Sequence, residues 1–235
     1  MITRRPSESK RGWQVDTSDY AARFARFDTS IRAMHHTVPY DIKLWYAYPS
    51  LSDQEITAME ARVVERQGVS GFHIAPSMRP FFRVVGGWDL SWVYDDLSPV
   101  NGQPPHGKCT LSSLPGIYMA GDGSDDDEGR GDVPYDEDYR LFDWVGFQEE
   151  VVLQFQRGVD EPMLYLHDMP SDLYHPLALD FTAYIDLLMQ CRALSPWHRF
   201  FVTTPGYHVD DETTRAFFDN LAYLFPDADP AHFRR

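Results

Sequence analysis

The chain has 235 residues, 43% of them hydrophobic and 14% aromatic, so it is long enough to bury a sizeable core and is not a disordered acidic chain. Its formal net charge of −15 disfavours nucleic acid and anionic membranes as direct partners and favours encounter with basic proteins. Cys109 and Cys191 form no CxxC pair, no secretory signal is present, and no apolar run approaches about 18 residues, so a cytoplasmic protein is expected.

The first predicted elements are a helix and a strand. Residues 18–34, "SDYAARFARFDTSIRAM", place apolar side chains at steps of three and four, which is the spacing of one helix face. Ser18 is a suitable N-cap for this helix. Its apolar side chains are Tyr20, Phe24, Phe27, Ile31 and Met34. The following "YDIKLWYAY" predicts a strand with Ile42, Leu44 and Tyr46 on one face.

Two more helices and a strand are predicted before residue 95. In "SDQEITAMEARVVERQG", Ser52 and Glu55 have the spacing of a capping box, and Gly68 is a typical helix terminator. "SMRPFFRVV" predicts a helix because its proline lies in the first turn, and Gly86-Gly87 ends it. "WDLSWVY" alternates large apolar residues with smaller or polar ones and predicts a strand.

The second half of the chain begins with predicted loops. Residues 95–138 are rich in proline, glycine, serine and aspartate, and they predict long loops around one short strand in "LPGIYMA". "EVVLQFQ", "RGVDE" and "PMLYLH" predict a strand, a turn and a strand. "HPLALDFTAYIDLLMQCRAL" predicts a helix that buries Phe181, Tyr184, Leu188 and Cys191, and "DDETTRAFFDNLAYLF" predicts a last helix ended by Pro226. This order predicts an α+β fold with helices against a largely antiparallel mixed sheet.

No catalytic signature is present. The chain contains no GxxxxGK[ST], GxGxxG, GxSxG or HExxH motif. His35 and His36 are adjacent near a helix end and are predicted surface residues. His167 and Asp168 are neighbours in a strand, so their side chains point to opposite faces and do not pair, while His175 is predicted in a loop. The chain is therefore predicted not to be an enzyme, with no catalytic, cofactor-binding or metal-binding residue assigned.

The segment "GDGSDDDEGRGD" is the strongest candidate for a metal or partner site. An EF-hand calcium loop needs oxygen ligands at positions 1, 3 and 5, glycine at 6 and glutamate at 12. A frame that starts at Asp122 puts Asp127 at position 6 and Val133 at position 12, and a frame from Asp125 puts Arg130 at position 6. Both frames fail. A looser calcium or magnesium site that recruits carboxylates from other loops stays open as the minor alternative.

Extended to Asp138, this segment has nine acidic residues and one arginine, so it carries −8 of the net charge of −15. We call residues 121–138 the acidic segment. Such a run repels itself, so it is interpreted either as a solvated loop or as a surface for a basic protein. Its candidate partner-binding residues are Asp122, Asp125, Asp126, Asp127, Glu128, Asp132, Asp136, Glu137 and Asp138.

Several segments resemble the SUKH superfamily, which includes a yeast regulator of cell-wall synthesis and many bacterial immunity proteins. "SDQEITAMEARV" is similar to its opening helix, and "IAPSMRPFFRVVGGWDLSW" to its proline step, second helix, glycine pair and strand. "PMLYLHD" and "HPLALDFTAYIDLLM" are similar to its last strand and closing helix. The resemblance covers residues 50–195 with an acidic insertion at about 95–138, and it leaves 1–49 and 196–235 as extensions with one helix each.

The resemblance implies a SUKH-like α+β fold without a shared catalytic residue set. It also implies an immunity-type protein that blocks a cognate bacterial toxin by protein–protein contact, and the charge of the chain favours a basic, nuclease-like toxin. One alternative is a regulatory scaffold for a cellular partner, with Trp88, Trp92 and the aromatic-rich tail as candidate contacts, although the first expectation for these residues is the buried core. The other is a metal-dependent hydrolase that uses the acidic segment.

Overall fold

Seven β-strands follow one another across a single antiparallel sheet, each paired with the next strand along the chain. The computed structural model describes residues 20–37, 39–67, 71–96, 104–119, 139–146, 148–156 and 159–234. The strands are β1 Tyr40–Ala47, β2 Trp88–Tyr94, β3 His106–Leu111, β4 Tyr139–Asp143, β5 Glu149–Gln154, β6 Met163–Asp168 and β7 Leu173–Pro176. The α-helices are α1 Tyr20–His35, α2 Asp53–Gln67, α3 Met78–Val84, α4 Leu114–Tyr118, α5 Phe181–Cys191 and α6 Asp211–Leu224, with 3₁₀ helices at Trp197–Phe201 and Pro230–Phe233.

The α+β class is confirmed, and the sheet differs from the prediction in one respect. All six strand pairs are antiparallel, so the expectation of a mixed sheet is wrong. A parallel pair needs a long crossover between two neighbouring strands, whereas here every neighbour in the sheet is also the neighbour in sequence.

The predicted apolar stripe of α1 and the predicted capping box of α2 are confirmed. Four predicted core residues of α1 are buried, namely Tyr20, Phe27, Ile31 and Met34, and Phe24 packs partly buried against them. At the start of α2, the Ser52 N–H donates to Glu55 Oε2 at 2.7 Å, and the Glu55 N–H donates to Ser52 Oγ at 3.2 Å. This is the reciprocal capping box that the sequence predicts. Ser18 and Gly68 lie outside the described residues.

A β-bulge in β1 overturns the predicted face of that strand. The register with β2 shifts between Ile42 and Leu44. Because a bulge inserts one extra residue, the inward side changes from even to odd positions. Ile42 and Trp45 pack against the core, whereas Leu44 and Tyr46 are 47% and 51% exposed.

Residues 95–138 contain a strand and a short helix, both different from the prediction. β3 turns Gly107, Cys109 and Leu111 inward. Gly107 has no side chain and that of Cys109 is small, so the alternation of apolar and polar residues in this segment is weak. The "LPGIYMA" stretch forms α4 rather than a strand, because Ser113 Oγ accepts the Gly116 N–H at 3.3 Å and Pro115 occupies the first turn.

The last third of the chain matches the prediction in β5, β6, α5 and α6, but β7 was not predicted. His175 belongs to β7 and not to a loop, and it pairs with Leu166 of β6. For the same reason α5 begins at Phe181 instead of residue 175. Asp180 caps this helix, and its Oδ1 accepts the Ala183 N–H at 2.7 Å.

One hydrophobic core lies between the sheet and the helices. Its members come from all six α-helices and from the inward-facing positions of the strands. It runs from Tyr20 in α1 to Phe233 in the last 3₁₀ helix, so both ends of the described chain contribute to it. Trp88 and Trp92 are 0% exposed, which makes them core residues and not contacts for a partner.

The sheet has a narrow seam in its middle. β3 and β4 are joined by one residue pair, Leu111 with Asp143, while β5 and β6 pair along their whole length. Three further bonds close the seam: Ser112 N–H to Phe142 C=O, Trp144 N–H to Thr110 C=O, and Thr110 N–H to the Asp143 carboxylate. The acidic segment belongs to the connection between these two strands, after α4 and before β4.

Candidate functional site

The nine predicted partner-binding residues lie in the acidic segment and therefore outside the described residues. They are Asp122, Asp125, Asp126, Asp127, Glu128, Asp132, Asp136, Glu137 and Asp138. The nearest described elements on either side are α4, which ends at Tyr118, and β4, which begins at Tyr139. The side chains around β4 therefore lie next to this segment along the chain.

Four aromatic side chains on the sheet face opposite the helices form a cluster that we call the tyrosine face: Tyr139 of β4, Tyr165 and His167 of β6, and Tyr174 of β7. The Tyr174 ring lies parallel to two neighbours, with its centroid 3.9 Å from that of Tyr139 at 12° and 4.2 Å from that of His167 at 1°. Tyr165 meets Tyr139 edge-on at 5.2 Å. Stacked and edge-on contacts of this kind hold aromatic rings in fixed orientations.

The tyrosine face belongs to a second, smaller apolar cluster that also includes Val152 of β5. Val152 is 2% exposed, yet it is not part of the main core, because its neighbours Val151 and Leu153 point toward the helices. Its cross-strand partners are Leu141 of β4 and Tyr165 of β6. The outer face of β4–β7 is therefore ordered by its own packing, without a helix from the described part of the chain lying over it.

Two carboxylates hold the imidazole of His167. Its Nδ1 lies 2.9 Å from Glu150 Oε1, and its Nε2 lies 3.1 Å from Asp172 Oδ1. Asp172 has a φ of 54°, a left-handed conformation that aspartate tolerates better than most residues. The Asp172 side chain is 84% exposed, whereas that of Glu150 is 19% exposed. We call Glu150 and Asp172 the acid pair.

The acid pair could not be assigned from the sequence. The prediction that His167 and Asp168 do not pair is confirmed, and Asp168 Oδ2 instead accepts the Ser171 hydroxyl at 2.5 Å. Glu150 faces His167 because of the β5–β6 register, which the sequence does not specify. The turn to β7 then returns Asp172 to the same imidazole, and no β7 was predicted.

A cleft of about 610 Å³ lies on another side of the molecule, between the start of β5 and α6. Glu149 in its wall accepts Arg199 Nε–H at 2.9 Å and lies 3.3 Å from His198 Nε2. Burial raises the pKa of Glu149, but the hydrogen bonds and charges of His198 and Arg199 outweigh it and hold the pKa at about 2. A carboxylate with so low a pKa is a weak base, so Glu149 orients Arg199 and shapes the wall.

The cysteines and one aspartate lie inside the core. Trp88 Nε1–H donates to Cys109 Sγ at 3.0 Å, and burial raises the pKa of Cys191 to about 12. Thiols with raised pKa values are poor nucleophiles. Asp143 is 0% exposed, and it accepts the Tyr184 hydroxyl at 2.7 Å and the Thr110 N–H at 2.8 Å. Burial raises the Asp143 pKa to about 7 in spite of these two bonds.

The remaining features are the two adjacent histidines, possible metal ligands and possible membrane-spanning helices. His35 and His36 are exposed, as predicted. Across the described ranges, no group of three or more His, Cys, Asp or Glu side chains is positioned to hold a metal ion. None of the helices described has both the length and the apolar character needed to cross a membrane.

No family model, no curated protein and no solved structure matches the chain. The SUKH resemblance therefore rests on the sequence motifs of residues 50–195. Among the described residues, the tyrosine face with its acid pair is a surface that combines ordered aromatic rings with exposed negative charge. It is suited to contact with a cationic group.

Proposed function

We propose that the chain is an immunity-type binding protein with a SUKH-like fold, to which the helices in 1–49 and 196–235 are additions. It acts in the cytoplasm and neutralises a basic, nuclease-like bacterial toxin by covering the active or substrate-binding surface of that toxin. One observation carries the proposal: residues 121–138 hold −8 of the net charge of −15 and are followed directly by Tyr139 of the tyrosine face.

The electrostatics support this function. A nuclease grips phosphate through lysine and arginine side chains, and an acidic protein competes for the same cationic surface. Complementary charge also speeds encounter by orders of magnitude at low salt. Fast capture matters for an antidote, because the toxin acts as long as it is free.

Apolar contact area supports the same function. Leu44, Tyr46, Trp144 and Met163 are between 41% and 51% exposed. Strand alternation places Leu44, Tyr46 and Met163 on the sheet face opposite the helices, and Lys108 Nζ lies 5.2 Å from the centre of the Trp144 ring. Exposed aromatic and methionine side chains of this kind are enriched in protein interfaces.

The direct test uses the product of the neighbouring reading frame. If that frame encodes a secreted toxin, its nuclease activity is titrated with purified chain, and growth is scored with and without co-expression. We expect stoichiometric inhibition and restored growth. A neighbourhood that encodes no toxin, together with the absence of a co-purifying toxin domain, would rule the proposal out.

A second test concerns the acidic segment. The triple change Asp125→Ser, Asp126→Ser and Asp127→Ser should slow association with the toxin at low salt, and the difference should shrink as salt rises. The matched control is Asp95→Ser, Asp96→Ser and Asp219→Ser, which removes the same charge from exposed positions elsewhere. Equal on-rates for both triple variants would show that net charge acts without any special part for the acidic segment.

A further inference from the structure

We propose that the tyrosine face and its acid pair form the contact surface for an arginine side chain of the basic partner. The guanidinium pairs with Asp172 and lies against the aromatic ring of Tyr165, and Met163 closes the rim. This inference rests on the proposed function and names the surface and the chemical group that it recognises.

The two carboxylates of the acid pair face one imidazole, so acidic groups outnumber basic ones around His167. Asp172 is the accessible member, with 84% of its side chain exposed. Only its Oδ1 bonds His167 among the described contacts, which leaves Oδ2 to accept a hydrogen bond from a partner.

The aromatic surroundings favour arginine over lysine. A guanidinium is planar, so it stacks on aromatic rings, and it donates hydrogen bonds in a fork that fits a carboxylate. An ammonium is a compact charge that has neither the flat face nor the fork. The tyrosine rings are already ordered by their mutual contacts, so little side-chain freedom is lost when a partner binds. An ordered aromatic surface beside a carboxylate is a common composition of interface hot spots.

Met163 supplies the apolar edge of this surface. Its side chain is 41% exposed, and its sulfur lies 3.9 Å from the Tyr165 hydroxyl on the same strand face. Thioethers adapt to irregular surfaces and pack on aromatic rings. Such a rim covers the edge of the Tyr165 ring and excludes water from a guanidinium that lies against that ring.

The position of the surface fits a two-step encounter. The acidic segment ends at Asp138, one residue before Tyr139 of the tyrosine face. Long-range attraction to the charged segment therefore concentrates a basic partner beside the rings and the acid pair. Steering and specific contact then involve neighbouring parts of the chain.

The test uses two short peptides as probes, acetyl-Arg-Arg-Arg-Arg-amide and its lysine counterpart, each titrated into the full chain. NMR signals of the His167 imidazole and of ring-labelled tyrosines report binding at this surface separately from binding elsewhere. We expect these signals to shift with both peptides and the dissociation constant at this site to be at least about threefold lower for arginine. Absence of shifts at His167 and Tyr165 overturns the inference.

The matched variants are Asp172→Asn and Asp53→Asn. Asparagine tolerates the left-handed backbone of residue 172 and keeps the side-chain shape, so the fold is preserved and one charge is lost. We expect Asp172→Asn to raise the dissociation constant of the arginine peptide about fivefold, which corresponds to roughly 1 kcal/mol of binding free energy. The Asp53 side chain is 69% exposed and bonds Arg83 of α3, away from the tyrosine face. Asp53→Asn should therefore change the affinity for the arginine peptide by less than about 1.5-fold.

The toxin assay separates failure of this inference from failure of the proposed function. If the toxin binds the chain and Asp172→Asn combined with Tyr165→Leu leaves its affinity unchanged, the surface is wrong and the function stands. If no toxin binds the wild-type chain, the function is wrong, and the peptide titrations still decide whether the surface recognises arginine. A circular dichroism spectrum and urea midpoint for each variant confirm that it is folded.

Discussion

The two faces of the sheet hold their aromatic residues in place by different means. On the inner face, Trp88 is 0% exposed and meets rings from two helices, including Phe27 at 5.3 Å and Phe81 at 5.5 Å. On the outer face, the rings of Tyr139 and Tyr174 meet each other at 3.9 Å and remain partly exposed. Burial therefore fixes the inner rings, and stacking with hydrogen bonding fixes the outer ones.

This difference separates stability from recognition. Full burial of a large apolar side chain contributes several kcal/mol, whereas an aromatic pair at a surface contributes about 0.5–1.5 kcal/mol beyond its burial. An inner-face change should thus be measured first in unfolding experiments, and an outer-face change in binding experiments.

Trp88→Ala should lower the free energy of unfolding by about 3–5 kcal/mol, because it leaves a cavity among Phe24, Phe27 and Phe81. Tyr46→Ala on the outer face is the control, with a side chain that is 51% exposed and an expected change within about 1 kcal/mol. Urea unfolding followed by circular dichroism measures both. Similar losses for the two variants would mean that the outer face is as important for stability as the inner face.

Asp143 breaks the apolar pattern of the inner side and should make stability depend on pH. Its pKa is raised to about 7 in the folded chain from 3.8, so between these values the folded state holds a proton that the unfolded state has lost. The free energy of unfolding therefore falls as pH rises from about 4 to 7, by on the order of 3–4 kcal/mol, and this contribution is constant above pH 7.

Asp143→Asn should remove most of that slope, since asparagine does not titrate and can still bond Thr110 N–H and Tyr184. Urea unfolding from pH 5 to 8 measures the effect in a range where Glu149, with a pKa of about 2, stays ionised in the folded chain. A variant that keeps the wild-type slope would show that Asp143 is already ionised in the folded protein.

Local signals predicted the elements that carry strong periodicity or capping residues. The α1 stripe, the Ser52–Glu55 capping box and the alternation of β2 depend on side chains close together in sequence. The bulge in β1 and the short strand β7 depend instead on pairing with another strand. Propensity within a single segment does not contain that pairing energy, so both were missed.

The candidate surface was harder to predict than the fold. The neighbour of His167 in sequence is Asp168, but its hydrogen-bond partners are Glu150, 17 residues away, and Asp172, five residues away. Cross-strand register brings these groups together, and register is set by the whole sheet. Composition did predict the acidic character of the chain, and the proposed partner chemistry follows from that property.

Gly107 and Gly146 differ in the space that is available for an added methyl group. A Cβ on Gly107 of β3 would lie 2.1 Å from Trp92 Nε1 and 2.7 Å from the Arg192 carbonyl oxygen. These two atoms are joined by a hydrogen bond of 2.7 Å, and Trp92 is 0% exposed. Gly107→Ala must therefore displace a buried indole, and we expect a loss of about 1–3 kcal/mol in the free energy of unfolding.

Gly146, in the turn between β4 and β5, should respond with the opposite sign. Within the described part of the chain, and leaving out its two sequence neighbours, no heavy atom lies within 4 Å of a Cβ added there, and the Gly146 backbone is outside the left-handed region. Gly146→Ala thus removes freedom from the unfolded chain without crowding the folded one, and we expect a gain of about 0.4–1 kcal/mol. Urea unfolding of both variants measures the two changes, and a loss at Gly146 as large as that at Gly107 would show that the turn is as tightly packed as the inner face.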